Sequence, residues 1–147
     1  MGTRCLTVVK DDGKDVCVLY RQFDGYPEGH GLELCEFLNK IKRITNGISG
    51  DPKGTANGMG CLAAQLVAHF KNEVGQFYLY PSGTRDVWEE FIYVVKNKDG
   101  APYVIVYDTY GDETEMSVFD GVKVKPVMEG TPQELIEDIR SNKNEFV

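Results

Sequence analysis

No apolar stretch of this 147-residue chain approaches the ~20 residues of a membrane-spanning helix, so a helical span is excluded. An excess of basic residues is also missing. Sixteen Lys and Arg stand against 23 Asp and Glu, and the net charge of −7 lacks the electrostatic footprint of a duplex nucleic-acid binder. Histidine occurs only twice, which leaves few candidates for acid–base catalysis. Cysteine occurs four times, as Cys5, Cys17, Cys35 and Cys61, with no CxxC among them. Such spacing argues against a zinc site and predicts buried free thiols in a reducing cytoplasm. The opening MGTRCLTVV has no basic n-region and no long apolar core, so no secretory leader is expected. Leu6 stands where a myristoylation motif wants Ser or Thr. No metal or other cofactor is implied.

What is present suits one globular domain. Apolar residues make up 41% and charged residues 27%, enough for a core without a metal or disulfide staple. Residues 3–9 and 16–23 have strand composition, and Asp11-Asp12-Gly13-Lys14 between them predicts a hairpin. The periodicity predicts helices over residues 31–44 and 59–74. Between them, residues 47–60 form a glycine-rich loop. Strands are expected over 76–80, 87–97, 103–107, 115–119 and 122–127, with hairpin turns at Lys98-Asp99-Gly100 and Asp120-Gly121. Thr131-Pro132-Gln133-Glu134 is a capping box that starts a last helix running to Ser141. The expected order is ββααβββββα. It describes an α+β fold with a mostly antiparallel sheet and its helices on one face.

Two segments carry candidate chemistry. Residues 20–31, YRQFDGYPEGHG, combine three glycines, a proline and three aromatics with Arg21, Gln22, Asp24 and His30. Glycines permit close backbone approach to a ligand, Tyr26 offers a stacking face, and a following helix N-terminus favours an anion. The other segment runs from Gly50-Asp51-Pro52 to Cys61, with Lys53, Thr55 and Asn57 as donors. It also feeds a helix, but matches neither a Walker A loop nor GxGxxG. Thr3 and Arg4 open the first strand, and the hairpin is expected to bring Arg4 close to Asp24. A structural reading stands beside each: a strand-to-helix turn, a mobile connector, an Arg–Asp pair. His69 reads as a core histidine, the tyrosines as a sheet face or an oligomer interface, and the acidic run Asp108, Asp112, Glu113, Glu115 as a solvated turn.

The start Met1-Gly2-Thr3-Arg4, followed by Phe23-Asp24-Gly25-Tyr26-Pro27-x-Gly29-His30-Gly31, resembles a family of small uncharacterised phage- and prophage-associated proteins. Thr3, Arg4, Asp24, Gly25, Tyr26, Pro27 and Gly31 match its shared pattern, over the first ~45 residues. The resemblance implies a protein of the bacterial host cytoplasm and carries no established chemistry with it. The function expected from residues and resemblance together is binding of a phosphate-bearing, nucleotide-like small molecule, in a pocket shared by the two glycine-rich segments. In a phage setting that role is sequestration of a host nucleotide immune signal. Two alternatives stay open. One is a small hydrolase with His30 as acid–base and Asp24 as its orienter. The other is an acidic inhibitor that covers a host protein; homo-oligomerisation is possible under any of the three readings.

Overall fold

The structure, a computed structural model, describes residues 2–47, 53–111, 114 and 116–141. Strands β1 (Cys5–Asp11) and β2 (Lys14–Arg21) form the expected antiparallel hairpin. Asp12 and Gly13 at its tip have φ of 52° and 79°, the left-handed pair that two-residue hairpin turns require. A π-helical turn (Pro27–Gly31) then leads into α1 (Leu32–Leu38). The helix is shorter than its sequence pattern predicts. Ile41 and Ile44 are buried, but Ile44 lies in β3 (Arg43–Thr45), which pairs in parallel with β4 (Thr55–Asn57). Their spacing suits a helical stripe, and a β-branched residue in a short strand fulfils it equally well.

Helix α2 (Gly58–Phe70) buries Met59, Leu62, Ala63, Leu66 and Phe70, and stops four residues before the expected end, leaving Val74 fully exposed. The rest is β5 (Phe77–Tyr80), β6 (Phe91–Lys98), β7 (Ala101–Asp108), β8 (Ser117–Phe119), β9 (Val122–Gly130) and α3 (Pro132–Ser141). Left-handed pairs at Asp99-Gly100 and Asp120-Gly121 close two more hairpins. The capping box forms in both directions: Thr131 N–H donates to Glu134 Oε1 at 2.9 Å, and Glu134 N–H to Thr131 Oγ1 at 3.2 Å. Gly50, Asp51 and Pro52 of the glycine loop, and Asp112, Glu113 and Glu115 of the acidic turn, lie outside the described residues.

The fold is α+β. Seven strands in the order β5-β2-β1-β6-β7-β9-β8 form one sheet, antiparallel except where β1 runs parallel to β6. The three helices share one face, over a core that includes Cys5, Leu19, Leu34, Leu38, Leu62, Leu66, Tyr93 and Leu135. The opposite face carries a second cluster: Leu6, Val8, Val18, Tyr20, Ile92, Val94 and Val124, with Tyr80, Val87, Tyr107 and Phe119 packed on it. Four charges close over that face. Lys10 and Arg85 each bind both Asp15 and Asp120, at 2.7–3.0 Å. Burial would raise the Asp15 carboxyl, but hydrogen bonds from Arg85, the Gly83 N–H and Lys10 outweigh it and hold the group below the usual range.

Candidate functional site

The density of glycine after β2 is a packing device. Gly25 N–H donates to Thr3 O at 2.8 Å, and a Cβ at Gly25 would stand 2.8 Å from Cys5 Cβ. A Cβ at Gly29 would lie 2.5 Å from Asp24 O, the acceptor of the His30 N–H. Backbone therefore packs closely on backbone and on the Cys5 side chain here. Asp24 itself is left-handed, with φ of 62°.

His30 is fully buried, 5.1 Å from the Phe70 ring and 4.9 Å from that of Tyr93. Its Nδ1 faces Arg21 Nη1 at 3.3 Å, and a guanidinium can only donate, so Nδ1 accepts. The proton is then on Nε2, which donates to Thr7 Oγ1 at 2.6 Å. Burial first, and the Arg21 charge second, push the imidazole down to about 3. Neutral and with both nitrogens occupied, the ring has no lone pair or proton to offer a substrate. The expected His30–Asp24 dyad is not formed: only the Asp24 main-chain carbonyl touches His30.

Arg21 is the hub of the segment. It stands opposite Cys5 in the hairpin register and so points to the helix side of the sheet. Its Nε donates to Phe23 O at 2.6 Å, its Nη1 is paired with Glu33, and its guanidinium stacks 5.0 Å over the Phe77 ring. The side chain is 7% exposed, while that of its partner Glu33 is 50% exposed. Above Arg21 lies a groove of about 510 Å³ between α1, the end of α2 and β5. Phe37 and His69 stack on its wall with centroids 4.6 Å apart. Lys40 and Gln76 line it further, together with Glu36 and Glu73.

The other expected site residues fall elsewhere. Strand alternation sends Arg4 to the face opposite Arg21, where its guanidinium lies against the Tyr20 hydroxyl. The Arg4–Asp24 pair is therefore absent: the Asp24 carboxylate is 4.0 Å from Arg21 Nη2 and 3.4 Å from the Tyr26 hydroxyl. Gln22 accepts from Tyr20 at 2.8 Å on the Arg4 side. Lys53, Thr55 and Asn57 lie at the other end of the domain. Gly54 O accepts from Lys42 N at 2.7 Å, and Asn57 Oδ1 from Gly47 N, also at 2.7 Å. Helix α2 starts there and ends with Phe70 against His30, so its length, about 20 Å at 1.5 Å per residue, separates the two glycine-rich segments. They cannot share one pocket. His69, expected in the core, is exposed on the groove wall. Phe37, Lys40 and Gln76 escaped the sequence reading, and only the adjacent pair His69-Phe70 hinted at an aromatic wall.

Among the described residues no group of three or more His, Cys, Asp or Glu could hold a metal ion, and no helix is long and apolar enough to cross a membrane. Fold and groove thus define an α+β protein with a helix-flanked, arginine-floored cleft. No protein-family model matches the chain, and no curated protein or solved structure is significantly similar to it.

Proposed function

We propose that the protein binds a small anionic molecule with an aromatic ring, nucleotide-like in character, in the groove over Arg21. The observation that carries this reading is the Arg21–Glu33 pair. A guanidinium held rigidly at the groove floor is bound to a carboxylate that is half in water, and a ligand phosphate can take the place of that carboxylate. The stacked Phe37 and His69 offer a face for a base, and Lys40 a second cation. Glu33, Glu36 and Glu73 outnumber the two cations, which favours a ligand with one or two negative charges over a triphosphate. In the phage setting that the N-terminal resemblance implies, sequestration of a nucleotide signal suits binding without turnover, since His30 cannot serve as acid or base.

Calorimetry with nucleoside monophosphates and cyclic dinucleotides tests the reading. Glu33→Gln frees Arg21 from its competitor and should tighten binding. Lys40→Glu should weaken it by about 0.5–1 kcal/mol, as an exposed charge does. Arg4→Ala, on the far face, should leave it unchanged. Incubation with a nucleotide extract, followed by heating, should release an intact ligand. Release of an altered product would favour the hydrolase, and no binding by wild type or Glu33→Gln would overturn the proposal.

A further inference from the structure

The chain's single tryptophan stands in solvent on a loop that hydrogen bonds hold in place. Trp88 is 80% exposed, and its φ of 69° lies in the left-handed region that a bulky side chain rarely adopts. Such a conformation persists only where its surroundings impose it, and the surroundings here are identifiable. Glu89, only 6% exposed, turns its carboxylate back on the loop and accepts the Asp86 N–H at 2.9 Å and the Val87 N–H at 2.7 Å. Thr109 Oγ1 donates to Glu89 O at 2.8 Å, and Thr109 N–H to Glu90 O at 3.0 Å, which ties the turn to the end of β7. The indole stacks on no other ring among the described residues, so the fold makes no such use of it. A cleft of about 430 Å³ beside it is shared with Tyr110, itself 64% exposed.

We propose that Trp88 and Tyr110 form a docking site for an arginine- or lysine-bearing segment of a partner protein. An indole face is the strongest of the side-chain partners for a cation, and exposed Trp and Tyr are the residues most often found as anchors of interfaces. Charge selects the sign of the occupant. Asp86 and Glu89 line the cleft against Lys123, in a chain whose net charge is −7. A cationic side chain stacked on Trp88 meets the Asp86 carboxylate on the same rim, whereas an acidic segment is disfavoured by the net negative charge. This surface lies apart from the groove over Arg21, so it stands or falls independently of the ligand proposed there.

Trp88 is its own reporter, because no other indole contributes to the emission. Titration with the capped peptide Gly-Arg-Gly-Arg-Gly should change that emission saturably, and added salt should weaken the effect. The same peptide with Glu for Arg, and a glucose oligosaccharide, should give no response. By calorimetry, Asp86→Asn, a residue equally suited to a left-handed φ, should weaken the arginine peptide at least threefold. Trp88→Gly should weaken it at least tenfold while raising the thermal midpoint, because glycine relieves the strain. A response to the oligosaccharide instead, or an emission shift that tracks self-association in sedimentation, would overturn the proposal. Retention of wild-type affinity in Trp88→Gly would do so as well.

Discussion

At the scale of single residues, His30 shows how one type serves two readings. Its place among glycines and aromatics suggested chemistry, yet its environment makes it a neutral core group wedged between Thr7 and Arg21. This has a consequence for stability. An unfolded-chain histidine titrates near 6.5, while the buried ring is pushed down to about 3. The unfolded state therefore binds the proton first. Stability from this group is complete above about pH 6.5 and is lost as pH falls towards the folded value, with a slope of up to about 1.4 kcal/mol per pH unit. Asp15 and Asp120 are held below their ordinary value and act in the same sense, but only near pH 4 and below. Between pH 6.5 and 4.5 the thermal midpoint should thus fall chiefly through His30. His30→Gln should lower stability at pH 7 by about 1–3 kcal/mol, through the lost hydrogen bonds, and flatten the curve in that window. An unchanged slope in the variant would disprove this account.

At the scale of elements, what was legible depended on whether the signal is local. Hairpins marked by Asp-Gly and the capped α3 were readable because turn and cap chemistry is written in adjacent residues. The end of α1 was not, since Ile41 and Ile44 satisfy a helical stripe and a short strand alike. Strand β6 starts four residues later than its composition predicts, because Val87 joins the far-face cluster from a loop that Glu89 organises. The π-helical turn is the sharpest case, for its glycines signal a ligand loop and act as spacers. Gly29→Ala separates the two roles. A Cβ at 2.5 Å from Asp24 O must push backbone aside, so urea unfolding should show a loss of about 1–3 kcal/mol. A ligand role alone would instead leave stability intact and weaken binding.

At the scale of the whole molecule, the sequence is silent on long-range pairing. The parallel contact of β1 with β6, such as Val8 with Val94, joins the N-terminal hairpin to the C-terminal meander. It rests on the shared apolar character of both strands and on no adjacent signal. The direction of α2 is equally hidden, and with it the separation of the two glycine-rich segments. Closure of the sheet's second face depends on Lys10, Asp15, Arg85 and Asp120, drawn from β1, β2, the loop after β5 and the β8–β9 turn. Arg85 and Asp15 have side chains only 4% and 5% exposed. Removing one member leaves the other charge under-compensated in a dry place, so Arg85→Met should cost about 3 kcal/mol or more. Removing both ends of the pair should cost less than the two single changes together. A double-mutant cycle with Asp15→Leu should therefore give a coupling of about 1–3 kcal/mol. Lys10, 3.0 Å from Asp15, still compensates that carboxylate when Arg85 is lost, which sets the upper limit on that coupling. Strict additivity of the two substitutions would mean that the four charges sit together without holding the hairpin tips, and that the apolar contacts of Val87 and Phe119 alone close the face.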